Sequence, residues 1–260
     1  MKRGYLFFLF VLLFHNLFAQ KTNGNFYIFK KDGSPAADLK KASFLQHVFS
    51  LNDSTFISRY YNFAGPMITQ ESFLDSNLTI PNGRFCWYNK EGNLDSTGVV
   101  SKGKKAGTWY YYLSKNETHT ITYDDGIKKD EHTYLYDKKG KPLNKDSTSD
   151  DDDTTKHKLV KANFKSGIPE WSAYCANHLN TPERLQNLLG IGKHECMVSF
   201  IINKQGIVED VYMSQSCEWS GDAEALRLIT DSPVWQPATK DGKPVLYRQR
   251  QPLTYYVQRG

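Results

Sequence analysis

The sequence predicts two structural parts, an all-β domain of stacked β-hairpins followed by an α+β domain with the order helix, β-hairpin, helix and β-strand. A hexapeptide unit rich in tyrosine returns four times in the first half of the chain. An acidic polar stretch then interrupts the pattern, and helical and alternating apolar patterns follow it. With 260 residues, 39% of them apolar, the chain is long enough for two domains with a core each.

The first twenty residues are typical of a secretory signal. A short basic start precedes an apolar run from Tyr5, and the small residue Ala19 offers a cleavage point. His15 and Asn16 interrupt the run, which is too short to span a bilayer comfortably. We expect residues 1–19 to be removed and the protein to be periplasmic, with anchoring to the inner membrane by an uncleaved segment as the alternative.

Residues 20–55 form a lead-in segment with little patterning of their own. Apolar residues over Ala36–Phe49 recur at helical spacing, which predicts one helix there. The net charge of +5 is too mild to indicate nucleic-acid binding.

Four hexapeptides share a tyrosine at their second position and end in glycine or asparagine. These two residues adopt positive φ most readily, so each unit predicts a strand that ends in a tight turn. A single hairpin cannot bury its aromatic side chains, but stacking four of them provides a core. The units are YYNFAG at 60–65, WYNKEG at 87–92, YYLSKN at 111–116 and LYDKKG at 135–140.

Within this region, GKKAGTWYYYLSKN and NGRFCWYNKEGNL resemble MORN-type repeats and the bacterial YwqK-family proteins, which are described as antitoxins. The resemblance covers residues 56–142 and implies a scaffold of stacked hairpins. Residues 143–158 read as an acidic flexible linker, because large apolar residues are absent after Leu143. Its run Asp150–Asp153 lacks the alternating ligands of a calcium loop, so we expect no metal there.

The region after Leu159 shows four regular elements. Pro169 suits the first turn of a helix, and Thr181-Pro182-Glu183 predicts the start of another. Glu195–Met213 alternates around the turn NKQG and predicts a β-hairpin. A further helix is expected after Ser220, which is its predicted N-cap, and Pro233 ends it.

The stretch DSPVWQPATKDGKPV at 231–245 leads into the last strand. Its tryptophan can close the core, and Asp241-Gly242 makes a tight turn. Pro244–Val257 then alternates as a strand, and Pro252 places this strand at the edge of a sheet because proline cannot donate to a ladder. The residues that we take as the structural signature of this part are Phe200, Gly206, Trp235, Pro237 and Gly242.

This combination of motifs resembles the C-terminal domain of TonB-type energy transducers over residues 159–258. The resemblance implies a non-enzymatic periplasmic module, linked to TonB-dependent transmembrane transport, that binds a peptide of an outer-membrane transporter or another envelope protein by strand addition. Arg248 and Arg250 are then candidates to hold acidic side chains of that peptide. The predicted peptide-binding edge comprises Val245, Leu246, Tyr247, Arg248, Gln249, Arg250 and Gln251.

The chain shows no pattern typical of an enzyme, and we expect no cofactor. HEC at 194–196 lacks the second histidine of a zinc-protease motif, and no serine lies in a nucleophile elbow. Of the four cysteines, Cys196 and Cys217 flank the predicted hairpin and are either a disulfide pair or free thiols. The alternative function is a MORN-repeat scaffold or antitoxin-like binding protein whose C-terminal domain forms a homodimer.

Overall fold

The computed structural model describes residues 24–137, 143, 158–165 and 167–258. The predicted signal segment and nearly all of the predicted linker lie outside these residues. The predicted fold class is wrong, because the protein is mostly β, with 53% strand and 15% helix. The three helices of the described residues are short, the longest having 12 residues, and they make up too little of the chain for the predicted α+β domain.

The first sheet has nine antiparallel strands, each hydrogen-bonded to the next one along the chain. It is a continuous meander and not a stack of separate hairpins. Its first two strands come from the predicted lead-in segment. The strands are β1 (Asn25–Phe29), β2 (Phe44–Asn52), β3 (Thr55–Asn62), β4 (Met67–Phe73), β5 (Gly83–Tyr88), β6 (Leu94–Ser101), β7 (Lys104–Ser114), β8 (Glu117–Asp124) and β9 (Ile127–Leu135).

The helix predicted over Ala36–Phe49 is also wrong. A single 3-10 turn occupies Leu39–Lys41, where the Asp38 side chain accepts hydrogen bonds from two backbone N–H groups, and β2 follows. Alternate residues of β2, Leu45 and His47, are buried. The pairing of β2 with both neighbours therefore outweighs the helical spacing of its apolar residues.

The described residues of the four hexapeptides lie at the ends of alternate strands, β3, β5, β7 and β9, as their spacing predicts. Gly92 adopts a φ of 80° in the turn between β5 and β6, whereas Gly65 and Asn116 have ordinary negative φ values. The last position of the fourth unit, Gly140, lies outside the described residues. The positive φ that the pattern predicts is thus found at one of the three described turns.

The C-terminal part contains three helices and two small sheets, within the described ranges. The strand orders are β12-β11-β15 and β10-β13-β14. The elements are β10 (Leu159–Val160), α1 (Ile168–His178), α2 (Glu183–Leu188), β11 (Gly192–Ile202), β12 (Val208–Gln215), α3 (Trp219–Thr230), β13 (Ala238–Lys240), β14 (Lys243–Val245) and β15 (Tyr247–Val257).

Two details of this part correct the sequence interpretation. The N-cap of α3 is Glu218, whose side chain accepts a hydrogen bond from the Ser220 N–H, so Ser220 lies inside the helix. The last strand is not continuous from Pro244, because Val245 ends β14 in one sheet and Tyr247 begins β15 in the other. The predicted hairpin is present as β11 and β12.

One hydrophobic core joins the two parts of the chain. Tyr61, Met67 and Tyr88 of the nine-stranded sheet are buried in the same cluster as β11 and the apolar side of α3. The Tyr88 hydroxyl donates to the Met213 carbonyl oxygen at 2.8 Å, which places the nine-stranded sheet against β12. The two predicted domains consequently share their interior.

The other face of the nine-stranded sheet carries a smaller aromatic cluster around Trp109. The Trp109 ring covers Gly98 so closely that a Cβ at that glycine would lie 2.1 Å from it. Trp109 is buried, and its indole N–H donates to the Val99 carbonyl oxygen. These aromatic residues therefore fill a core.

None of the helices that the structure describes is long and apolar enough to cross a bilayer.

Candidate peptide-binding edge and adjoining cleft

The strand β15 is paired along one side only, within the part of the chain that the structure describes. Its eleven residues, Tyr247–Val257, align with β11 from Ile202 to Gly192 without a register shift. Among the described residues no second strand lies beyond it, so β15 is the edge of the sheet β12-β11-β15. An edge strand presents N–H and C=O groups that another chain can pair with.

The opposite edge of this sheet is closed by the nine-stranded sheet. Asn93, in the turn that precedes β6, forms a bridge with Gln215 at the end of β12. The Ser216 N–H donates to the Gly92 carbonyl oxygen at 2.8 Å, and the Met67 N–H donates to the Ser216 hydroxyl at 2.7 Å. Packing of the two sheets therefore leaves β15 as the accessible edge.

Pro252 indicates which residues of β15 direct their backbone groups outward. Proline has no N–H to donate, so its position on an edge strand faces away from the neighbouring strand. The side-chain amides of Gln251 and Gln249 donate at 3.4 Å to the carbonyl oxygens of Pro252 and Arg250, respectively. Because backbone direction alternates along an antiparallel strand, Arg248, Arg250 and Thr254 also face outward.

A β-bulge in β12 positions a carboxylate between the two sheets. The register shifts between Ser199 and Ile201, and Asp210 adopts a φ of 51°. Its carboxylate accepts two hydrogen bonds of 2.5 Å from Arg84 on β5 and lies 3.3 Å from the Arg248 guanidinium on β15. Bulges are a usual way to re-aim one side chain of a strand. Burial alone would lower the Arg84 pKa, but its hydrogen bonds to Asp210 raise it.

Tyr212 completes this cluster. The Arg84 guanidinium lies 4.6 Å from the centre of the Tyr212 ring, and Arg248 donates to the Tyr212 hydroxyl at 3.0 Å. Arg248 is thus held by a carboxylate and a phenol. Arg250, two residues further, has no ion-pair partner among the residues that the structure describes, and it is exposed.

A cleft of about 740 Å³ lies between the two sheets, beside the face of β15 that carries the side chains of Arg248 and Arg250. Arg248, Arg250 and Lys115 line it, against one acidic residue, Asp95, so the lining carries an excess of positive charge. The cleft ends at the edge strand. A ligand with negative charges can therefore contact the cleft and the free backbone groups of β15 at once.

The repeated tyrosines have two different roles in this arrangement. Tyr61 and Tyr88, from the first two hexapeptides, are buried under the C-terminal part. Tyr112 and Tyr136, from the last two, line the cleft. Burial and the neighbouring Tyr212 raise the pKa of Tyr112 to about 12, so its hydroxyl keeps its proton and can donate a hydrogen bond at neutral pH.

The structure divides the predicted peptide-binding residues between two sheets. Val245 ends β14, Leu246 is an exposed connection, and the other five lie on β15. Sequence reasoning missed the residues that the nine-stranded sheet contributes, above all Arg84. The only local signal for Arg84 is that it follows Gly83, the glycine that opens a repeat. This signal does not reveal the ion pair, because the partner Asp210 is distant in sequence.

The signature residues support the connection into β15. Phe200 and Trp235 are buried and meet edge to face, with ring centres 5.4 Å apart. Gly206 adopts a φ of 82° in the hairpin turn, and its carbonyl oxygen accepts from the Trp235 N–H at 2.9 Å. Pro237 precedes β13, and Gly242, with a φ of 78°, forms the turn between β13 and β14.

One group of side chains in the described part of the chain has the spacing of metal ligands, Cys196, Cys217 and Asp222. Their candidate ligand atoms lie within 4.8 Å of one another. Both carboxylate oxygens of Asp222 already accept hydrogen bonds, one from the Ser216 hydroxyl and one from the Cys217 N–H at 2.9 Å. The carboxylate is therefore engaged in holding the start of α3.

Comparison of the chain with protein-family models, curated proteins and solved structures finds no match.

Proposed function

We propose that this protein is a non-enzymatic envelope protein that binds an extended, acidic peptide segment of a partner protein by strand addition to β15. The observation that carries the proposal is the one-sided pairing of β15 over its whole length. The partner class implied by the TonB-type resemblance, a segment of an outer-membrane transporter, has the required form, since such a segment is extended and binds through its backbone.

The backbone of β15 supplies the affinity in this proposal. Every second residue from Arg248 to Thr254 directs its backbone groups outward, as an added antiparallel strand requires. Pro252 has no N–H to offer, and a peptide carbonyl or N–H at that end would replace the weak side-chain contacts of Gln249 and Gln251 to the Arg250 and Pro252 carbonyl oxygens. The exposed aromatic ring of Tyr256 lies on the same face of the sheet as the side chains of Arg248 and Arg250. A peptide of about five to eight residues, the usual length of a strand, would cover this edge.

The cleft supplies the selectivity. Arg248 is partly neutralised by Asp210, whereas the Arg250 guanidinium is available to a carboxylate of the peptide. Alternate side chains of an added strand point to the same face of the sheet, so acidic residues at every second position would reach the cleft. Arginine can bind a carboxylate with two parallel hydrogen bonds, which makes this contact specific.

The proposal is tested by titrating the full chain with two fluorescent peptides. One alternates Glu with Val and Thr over about eight residues, and the other has Lys at each Glu position. We expect binding of the Glu peptide alone. Arg250→Ala is expected to weaken it about tenfold, the effect of one lost charge-assisted hydrogen bond. Arg250→Pro also removes an outward N–H and is expected to weaken binding more.

The comparison of the two Arg250 variants separates charge from strand addition. If Arg250→Pro binds the Glu peptide as well as Arg250→Ala does, the backbone of β15 is not the binding element and the proposal is wrong. Lys40→Ala, a change at an exposed lysine of the 3-10 turn, serves as the control and should leave the affinity unchanged.

A further inference from the structure

Two cysteines lie together at the open end of the β11–β12 hairpin. Met197 and Gln215 are the last aligned pair of the hairpin, so Cys196 is the next residue on one side and Cys217 lies two residues beyond the pair on the other. Their Sγ atoms lie within 4.8 Å of each other, and all four cysteines of the protein are free thiols in the structure. From this placement we propose that Cys196 and Cys217 form an intramolecular disulfide bond when the folding chain meets a disulfide oxidant.

The geometry requires only a small movement. A disulfide bond is about 2 Å long, so the two sulfur atoms need to approach each other by at most about 3 Å. Cys196 is fixed within β11, opposite Leu253 of β15. Cys217 lies in the short segment between β12 and α3, where a side-chain rotation does not disturb a strand.

The surroundings favour a disulfide over a metal ion. A zinc site needs thiolates, and both the interaction with the Cys196 thiol and burial raise the pKa of the Cys217 thiol. The third candidate ligand, Asp222, is committed to the Ser216 hydroxyl and the Cys217 N–H. A disulfide carries no charge, so the apolar interior around Cys196 accommodates it without an unpaired ion.

The other two cysteines are placed elsewhere. Cys86 lies on β5, buried, with its sulfur 3.3 Å from the Thr97 hydroxyl. Cys175 lies on α1, and burial raises its thiol pKa to about 11. Neither belongs to the cluster at the end of the hairpin, so the proposal assigns a single bond and two remaining thiols.

Bond formation is a thiol–disulfide exchange with a small disulfide such as oxidised glutathione. The thiolate of one cysteine attacks a sulfur of the reagent and displaces a glutathione thiolate, which gives a mixed disulfide. The second cysteine thiolate then attacks the protein sulfur of that mixed disulfide and displaces the second glutathione. Two electrons pass to the reagent, and the two thiol protons end on the two glutathione molecules.

Burial of the pair limits when the exchange can occur. A thiolate inside the folded core is unfavourable, and Cys217 packs against Gly221 of α3, where an added Cβ would lie 2.9 Å from its sulfur. We therefore place the reaction before α3 packs onto the sheet. Once the bond is formed, the same burial shields it from reduction.

The test uses the full chain, refolded in a buffer of oxidised and reduced glutathione and then alkylated in denaturant. We expect alkylation of two thiols and, after digestion, one cross-linked peptide pair that contains Cys196 and Cys217. The bond closes a short loop of the unfolded chain, so protein refolded with a reductant present, in which the bond does not form, should have a Tm about 5 to 10 °C lower. Cys175→Ala should give the same cross-link and the same change in Tm.

Three results would overturn the proposal: alkylation of all four thiols, a cross-link that includes Cys86 or Cys175, or an equal Tm for the cross-linked protein and for protein refolded with a reductant present. A zinc ion retained by the reduced chain in native mass spectrometry, and lost in Cys196→Ala, would assign the cluster to metal binding instead. The proposal does not depend on peptide binding, because none of these measurements uses β15 or a ligand.

Discussion

Replacing Arg184 with methionine is expected to lower the free energy of unfolding by about 3 kcal/mol, because it leaves the buried charge of Glu218 without its partner. The Arg184 guanidinium lies 2.6 Å from the Glu218 carboxylate, which is fully buried, and it also donates to the Phe63 carbonyl oxygen. The arginine thus joins α2, the cap of α3 and the nine-stranded sheet. Urea unfolding of both proteins measures the loss.

A double variant identifies the cause of this loss. In Arg184→Met with Glu218→Gln, the charge at position 218 is removed, and the Gln side chain can still accept from the Ser220 N–H. We expect this double variant to be more stable than Arg184→Met alone. Lys104→Ala breaks an exposed pair with Asp125 and should leave the urea midpoint unchanged. A single Arg184 variant as stable as the wild type would contradict the role of this ion pair.

The contribution of Asp222 to the stability of the protein is expected to fall as the pH rises from 4 to 8. Burial of this carboxyl group raises its pKa from 3.8 to about 7. Between these values the folded protein keeps the proton that the unfolded chain has lost, so the contribution is fully present below pH 3.8 and is lost as the pH rises through 7. A shift of about three units corresponds to about 4 kcal/mol.

Asp222→Asn isolates this contribution from those of the other carboxylates. Asp32, Asp75 and Asp130 have lowered pKa values and act in the opposite direction, but they are common to both proteins. We expect the difference in free energy of unfolding, variant minus wild type, to increase by about 4 kcal/mol from pH 4 to pH 8. A difference that is constant with pH would show that Asp222 does not titrate in this range.

The repeats in the first half could be predicted because their signal is local. Each hexapeptide begins in the end of a strand, β3, β5, β7 or β9, and the first three continue into turns within the described residues. The strand β2 was missed because its apolar residues satisfy both a helical and an alternating spacing, and only its two neighbours decide between them.

The predicted fold class is wrong because it was based on local patterns, which do not show how the strands pair. The alternating segment after Pro244 is split between two sheets at Leu246, and the short strands β13 and β14 have no pattern of their own. The contacts that define the cleft join residues far apart in the chain, such as Arg84 and Asp210. Neither residue is unusual in its local sequence, so the pair becomes visible only once the two sheets are packed together.

Amide exchange along β15, followed by NMR with and without the Glu peptide, tests strand addition most directly. Peptide binding should slow exchange at Arg248, Arg250 and Thr254, whose N–H groups face outward, and leave Gln249 and Gln251 unchanged because they already pair with β11. If a saturating peptide left all five amides exchanging at their original rates, the peptide would be bound elsewhere, and the function assigned to the edge strand would be wrong.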